Sequence, residues 1–586
     1  MKQVYKVQLV KEISDFLQTR FLRKFMKLFL VTAALIPLTW SCDYLNYSEE
    51  DRYTQDEILF YQGRVTNILN NIYSYLPADF NSVDGAMRAS ASDDAVHVWD
   101  MSDVQKFNDG SWNSTVVLDN VWSRMYAGIR TANVFLKEAP GLTFPSTKYN
   151  QGYADGMVAY RNYTYEARFL RAFFYFELIK RYGNVPLITD LINDTKEANN
   201  VSPTSFDDIV DFIVEECDSA IAKLPVTYTT FISTQTGRAT KGTAMALKAR
   251  TLLYAASPLH NPDNAQAKWI AAATAGKEFI DLLGANHMPL AAYTTIANNL
   301  TSKELIFERR QADDRAFEEM NTATGFEGGN TGTCPTQNLV DAYEVKVNAT
   351  TAVPFDWNNP VHAANPYANR DPRLGMTVLY NGSVWKTLPG GGPQVVQTYY
   401  GGLNAPPKPY TTKTGYYLKK FLVESISLSP TNPGVARHVW VIFRYPEILL
   451  NYAEAMNEAY GPEVIGPAPL TMTAKAAVDI VRARTGVAMP AFPAGLSQAA
   501  FRNMLRNERR VELAFEDHRF WDIRRWQIGS QTKTIRGVDI TKDELNNLTF
   551  IPKTVETRVW NDRMNLYPIP QTEYFINNKL GQNPGW

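Results

Sequence analysis

The sequence predicts a mainly α protein, in which paired helices form a scaffold and a large loop-rich part with minor β content is laid over it. Three observations predict this. Apolar residues recur at helical spacing through the first half and the last third of the chain. Small residues occupy the contact positions of those segments. Between about Gln311 and Val439 the composition turns to Gly, Asn, Pro and aromatics.

The N-terminus comes first, because an exported leader takes no part in the fold. Met26 and Lys27 precede an apolar run of thirteen residues, Leu28 to Trp40, with Pro37 inside it. That is short of the roughly 20 residues a membrane-spanning helix needs, so the run reads as a signal-peptide core. Ser41 then precedes Cys42, the pattern of a lipoprotein cleavage site that leaves Cys42 acylated, although Thr39 and Trp40 relax the strict form. Residues 1–25 are long for a leader's first region, and the start of translation is read as Met26. Removing residues 1–41 takes away seven Lys/Arg and two Asp/Glu, moving the formal charge from −1 to −6. A mildly acidic body without a basic run offers no footprint for nucleic acid. Two further cysteines, Cys217 and Cys334, are no disulfide framework, and whether they pair stays open.

The helical segments follow in order. Leu118 to Lys137 comes first. In the next, Tyr163 to Tyr182, Tyr165, Phe169, Ala172, Phe173, Phe176 and Ile179 share one face, and Leu170, Phe174 and Leu178 a second. A helix apolar on most sides is buried between others, and Gly183 followed by Pro186 ends it. Ser205 to Leu224, Lys241 to Ser257 and Ala265 to Leu283 complete the first half; Tyr445 to Tyr460, Ala474 to Thr485 and Gln498 to Phe515 make up the last third. Alanines 244, 246, 249, 255, 453 and 455 mark close contacts, and Ala172 with Phe176 four along resembles tetratricopeptide hairpins. No fixed 34-residue period exists, so any repeat is interrupted.

The middle stretch carries TATGFEGGNTGT, FDWNNPVHAANPYANRDPRL and LPGGGPQVVQTYYGGLNAPP. Turn residues in that density predict long ordered loops with short strands, where binding sites usually lie. Aromatics make up 12% of the chain, with 12 Trp and 31 Tyr. Rings with one flat apolar face and a polar edge suit a partner that is itself part apolar and part hydroxylated, such as a sugar, although most single rings are core.

Catalytic signatures are missing. There is no phosphate loop, dinucleotide fingerprint or H-E-x-x-H. The six histidines stand singly, without metal-ligand spacing. The pairs Asp93–Asp94 and Asp313–Asp314 are adjacent in sequence and so cannot flank a glycosidic bond as hydrolase carboxylates do; they read as solvated, capping or calcium-binding positions. In NERRVELAFEDHRFWDIRRW, Arg509, Arg510, Arg519, Arg524 and Arg525 interleave with Glu508, Glu512, Glu516, Asp517 and Asp522, which reads as an arginine–carboxylate lattice joining helices.

Four blocks resemble the SusD/RagB family of outer-membrane lipoproteins of Bacteroidota: EARFLRAFFYFELIKRYGNVPLI from Glu166, GRATKGTAMALKARTLLYAASP from Gly237, FRYPEILLNYAEAMNEA from Phe443 joined by NERRVELAFEDHRFWDIRRW, and the terminal LYPIPQTEYFINNKLGQNPGW. Weaker likenesses are SKELIFE, PTQNLVDAYE, NRDPRL and TGYYLKKF, and together they span the mature chain. The resemblance implies about four tetratricopeptide-like hairpins covered on one side by ligand-binding loops. It also implies a surface-exposed protein lipid-anchored to the outer membrane, partnered with a SusC-like TonB-dependent transporter. Such a protein captures oligosaccharides, or peptides in the RagB branch, without catalysis; a glycoside hydrolase is the remaining alternative. No cofactor is implied, and a structural calcium is left open.

The resemblance further implies two ligand-contacting loops. One follows Ser92–Asp93–Asp94 and holds His97, Trp99 and, further on, Trp112; the other precedes PTQNLVDAYE and holds Phe326 and Asn330. Trp357, Tyr367, Trp385, Tyr399 and Tyr400 in later loops are weaker candidates. The expected organisation is a signal peptide at 1–41, a tether at 42–53 anchored through Cys42, a helical scaffold with the first binding loop at 54–310, a loop-rich insertion at 311–439, and a C-terminal scaffold with the terminal segment at 440–586.

Overall fold

A computed structural model describes residues 54–228, 237–288, 290, 293, 302–388 and 390–586. The expected signal peptide at 1–41 and the expected tether at 42–53, with Cys42, lie outside the described residues. The chain divides into two compact units, residues 1–65 with 142–147, and residues 66–141 with 148–586. In the first, helix Gln55–Phe60 is closed by a reciprocal capping box: Glu57 N–H donates to the Thr54 hydroxyl at 3.3 Å, and Thr54 N–H to the Glu57 carboxylate at 2.7 Å.

Helices build the second unit, the first seven each packed on the next and the eighth on the sixth. These are α1 (Trp122–Glu138), α2 (Tyr153–Tyr182), α3 (Phe206–Lys223), α4 (Lys241–Ala256), α5 (Gln266–His287), α6 (Tyr445–Tyr460), α7 (Ala474–Arg482), α8 (Gln498–Glu512) and α9 (Arg519–Arg525). Hydroxyl caps start several of them: Ser205 accepts from Asp208 N–H at 3.1 Å, Thr473 from Ala476 at 3.1 Å and Ser497 from Ala500 at 3.2 Å. Gly183 ends α2 with φ +70°, as its sequence position predicts. α2 begins ten residues before the predicted start; its first turns are only partly covered, with Ala159 and Tyr160 the first buried residues.

Small residues set the helix spacing. A Cβ on Gly128 of α1 would stand 2.7 Å from the Phe174 ring of α2, and one on Gly276 of α5 would stand 3.2 Å from Cβ of Tyr452 on α6. Phe169, Phe173, Phe174 and Phe176 are all 1% exposed or less, so α2 is the central helix of the core. The terminal segment packs on the end of α2: Tyr567 N–H donates to the Arg181 carbonyl at 2.7 Å, and the Asn583 amide to the Tyr182 carbonyl at 3.0 Å.

Among the described residues the strands form six two-stranded antiparallel sheets. Three matter here: β1 (Ala95–His97) with β3 (Thr333–Pro335), β2 (Leu305–Asp314) with β4 (Ala436–Arg444), and β5 (Thr534–Lys542) with β6 (Leu548–Thr557). The architecture is thus mainly helical with small sheets, as the periodicity predicts.

The helices of the last third meet through a buried ionic lattice. Arg444, at the end of β4, reaches Glu304 at 2.9 Å, Glu512 at 2.6 Å and Glu516 at 2.6 Å. Glu512 on α8 also receives Arg484 at 2.5 Å and Arg373 at 2.9 Å. Arg484 pairs again with Glu304, Arg373 with Asp371 and Glu508, and Arg482 with Glu508 and Glu344. Asp522 on α9 bridges Arg509 at 2.8 Å and Arg525 at 2.7 Å, and Arg525 reaches Glu454 on α6 at 2.6 Å. Arginine suits this role because its planar fork engages two carboxylates in fixed directions. Burial alone would raise Glu512, but Arg484, Arg444 and Arg373 hold its carboxyl down to about 2. Lys180 and Arg181 likewise outweigh burial at Glu177, which also lies at about 2.

Arg444→Met removes one cation from each of three buried carboxylates, which keep only Arg484, Arg373 or Lys420, and is expected to cost about 3–5 kcal/mol in urea unfolding; a loss below about 1 kcal/mol would show that the lattice carries little of the stability. Because Glu512 and Glu177 are depressed, their contribution is fully present above the ordinary glutamate range of about 4.3 and disappears as pH falls toward their folded values. Urea midpoints are therefore expected to be level from about pH 7 to 5 and to fall between about pH 4.5 and 2.

Candidate functional site

The site begins at Asp93 and Asp94, just before β1. Arg519 grips the Asp93 carboxylate at 2.8 and 2.9 Å, while Arg510 reaches Asp94 at 2.6 Å and Asp93 at 3.1 Å. Burial alone would raise Asp93, but Arg510 and Arg519 hold it well below the carboxylate range. The expectation of solvated, capping or calcium-binding positions is corrected here: both aspartates are buried, and they tie the start of β1 to α8 and α9. Backbone contacts complete the clamp. The Thr336 hydroxyl donates to the Asp93 carbonyl at 2.6 Å, and Arg558 to the Ala95 carbonyl at 2.8 Å. The other acidic pair is different: Asp313 pairs with Arg437 at 3.0 Å, and Asp314 accepts from Ala316 N–H at 3.1 Å. Among the described residues no group of three or more His, Cys, Asp or Glu could hold a metal ion.

From this clamp β1 runs antiparallel to β3, pairing His97 with Thr333, and Val98 N–H donates to the Gly332 carbonyl at 2.9 Å. The pairing sets the loop after β1 beside the loop before β3, although more than 200 residues separate them in sequence. Trp99, half-buried, stacks on Tyr410 with ring centroids 4.3 Å apart and planes 30° apart. Tyr410 is 56% exposed and adopts a left-handed backbone with φ +56°. Its carbonyl accepts the Thr331 hydroxyl at 2.6 Å and the Thr324 hydroxyl at 3.0 Å. Lys413 pairs with Asp100 across the same junction. Three loops, 98–104, 322–332 and 398–414, thus converge on one stacked ring pair.

Gly325 lets the middle loop close. A Cβ there would meet the Leu403 carbonyl at 2.3 Å, and the Asn404 amide donates to the adjacent Thr324 carbonyl at 2.9 Å. Tyr400 stands 68% exposed farther along the third loop, its N–H donating to the Ile540 carbonyl of β5 at 2.8 Å. Tyr399 beside it is half-buried, with Lys542 Nζ 4.9 Å from its ring centre. Trp99, Tyr399, Tyr400 and the half-buried Asn330 are therefore the predicted residues that these three loops present.

The other candidates lie elsewhere. Trp112 is 1% exposed, its ring enclosed by Phe107, Tyr567 and Trp586 at 4.9, 5.2 and 4.5 Å, so no face remains for a ligand. Trp385 is 3% exposed and is corrected for the same reason. His97 is 1% exposed, facing inward from β1; burial, then Lys413, pushes it down to about 4, so it is neutral and covered. Phe326 is 8% exposed and underlies its loop rather than topping it. Trp357 packs edge-on to Phe355 at 5.1 Å, and Tyr367 stacks on Tyr380 at 4.3 Å, both half-buried. Tyr410 is the residue the sequence reading missed. Its one signal is an aromatic directly after the turn-forming PPKP.

Comparison with known proteins gives a consistent result. Residues 303–586 match the family model described as SusD family, and residues 43–253 the model described as starch-binding associating with outer membrane. The chain is 25% identical over 499 residues to the SusD-like protein P2 of Formosa agariphila, covering 83% of each chain. It is similar to the crystal structure of a SusD-like protein from Bacteroides fragilis, at 27% identity and TM-score 0.75, covering 92% of this chain and 99% of that one. A SusD-like carbohydrate binding protein from the same organism aligns at 26% identity and TM-score 0.71, covering 89% and 99%.

Proposed function

The chain belongs to the SusD/RagB family, and from that premise we propose that it is a non-catalytic glycan-binding lipoprotein that captures oligosaccharides at the outer membrane and passes them to a SusC-like TonB-dependent transporter. The stacked Trp99–Tyr410 pair carries the reading. A partly exposed ring pair on three converging loops offers a flat apolar face at the surface, which suits the apolar face of a sugar ring. Carboxylate, amide and ammonium groups around it, Asp100, Asn330 and Lys413, suit hydroxyls and fix orientation. Similarity to a SusD-like carbohydrate binding protein supports the same ligand class.

The acidic pair before β1 supports the absence of catalysis on physical grounds. Asp93 is locked by two arginines, and a carboxylate held in that way neither shuttles a proton nor attacks an anomeric carbon. Localisation follows the family: anchoring through Cys42 leaves the folded body to act at the surface, and several buried acyl chains make such anchoring lasting.

A glycan screen of the purified chain, followed by calorimetry with the best ligand, tests the site. Trp99→Ala and Tyr410→Ala are each expected to cost more than about 2 kcal/mol of binding, while Trp112→Phe leaves affinity unchanged. Full affinity in both alanine variants, turnover of any glycan, or saturable binding of peptides alone would each overturn the assignment. In cells, Cys42→Ala is expected to release a folded, ligand-competent protein from the membrane fraction; retention of that variant without the transporter would overturn the anchor.

A further inference from the structure

A second concave site shares no lining residue with the stacked rings. It is a cavity of about 280 Å³ bounded by α1, the segment 186–199 and the short helix α10 (Gln571–Ile576). One wall is aromatic: the half-buried Tyr126, packed against the buried Trp122 one turn before it on α1 with ring centroids 5.2 Å apart. Most polar groups around the cavity are already engaged. The Tyr126 hydroxyl donates to the Pro186 carbonyl at 2.8 Å, the Asn133 amide to the Ile188 carbonyl at 3.0 Å and the Arg130 guanidinium to the Ile192 carbonyl at 3.1 Å.

Glu573 is the exception. Its half-buried carboxylate lines the cavity, and its contact with the Ser123 hydroxyl is long, at 3.4 Å. Among the described residues no Lys, Arg or His forms an ion pair with it. Burial raises its pKa, and Ser123 offsets this only in part. Asp190 and Arg130 also line the cavity. An unpaired carboxylate beside aromatic faces attracts a cation twice over, through charge and through the ring quadrupoles.

A second observation concerns the helix that bears Glu573. Tyr574, Phe575 and Ile576 follow it directly and are 38%, 73% and 55% exposed, and Ile576 also lines the cavity. Consecutive exposed apolar side chains at the mouth of a cleft mark a protein contact rather than a site for a free solute. We propose that this cleft receives a lysine or arginine side chain of a partner protein, its aliphatic stem lying along Tyr126, its head on Glu573, and its apolar neighbours covering Phe575 and Ile576. Long basic side chains carry that combination of stem and charge.

Calorimetry on the full chain tests this with a capped Gly-Leu-Lys-Leu-Gly peptide, its norleucine isostere and n-butylammonium. The lysine peptide is expected to bind about ten-fold or more tightly than the norleucine peptide, and Glu573→Gln to erase the difference. Phe575→Ser is expected to weaken the peptide but leave butylammonium unchanged. Equal binding of the two peptides overturns the proposal, as does a preference that survives Glu573→Gln. Butylammonium binding as tightly as the peptide overturns the partner and leaves a small-amine site. No saturable binding of the lysine peptide up to about 10 mM also overturns it. The lysine-to-norleucine comparison uses the unsubstituted chain and stands whatever the stability of the variants.

Discussion

The buried arginine–carboxylate lattice is the constraint on which the rest of the structure depends. Desolvating so many charges is costly, and the cost is recovered only if each guanidinium meets its carboxylates in good geometry. Glu512 satisfies Arg444, Arg484 and Arg373 together, so the end of β4, the turn after α7 and the segment that begins at Arg373 have one mutual arrangement in which no charge is stranded. Apolar packing alone tolerates small shifts between helices. A lattice of directional pairs tolerates far fewer.

The lattice also reaches the proposed ligand surface. Arg510 on α8 and Arg519 on α9 grip Asp93 and Asp94. The start of β1 is therefore fixed to the scaffold by ionic contacts, while the loop beyond it rests on one short sheet and on threonine hydroxyls. Rigid support below and adaptable loops above is the division that lets a binding surface vary without disturbing its base.

How much of this could be read from the sequence divides along the same line. Helix positions were legible, because the 3.6-residue period of Phe169, Phe173 and Phe176 reports burial directly, and Tyr445 to Tyr460 came out with both ends correct. The charge alternation from Glu508 to Arg525 announced a lattice, but not Glu304, Arg373 or Arg484, which join it from far along the chain. Loop aromatics were the weak point. Trp112 and Trp99 both sit among polar residues, and nothing local separates a ring enclosed by Phe107, Tyr567 and Trp586 from one lying over Tyr410. Tyr410 escaped notice because its partner comes from a different loop altogether.

The backbone of Tyr410 has a consequence of its own. A tyrosine at φ +56° occupies a region that L-residues enter at a cost, and two threonine hydroxyls on its carbonyl hold it there. With that carbonyl fixed and Trp99 against the ring, the side chain has lost most of its rotational freedom before any ligand arrives. An arriving molecule then spends little of its binding energy on ordering the surface, and weak, face-by-face contacts suffice for brief retention. Such a surface is pre-organised, so that few contacts with a flat apolar face are needed for binding.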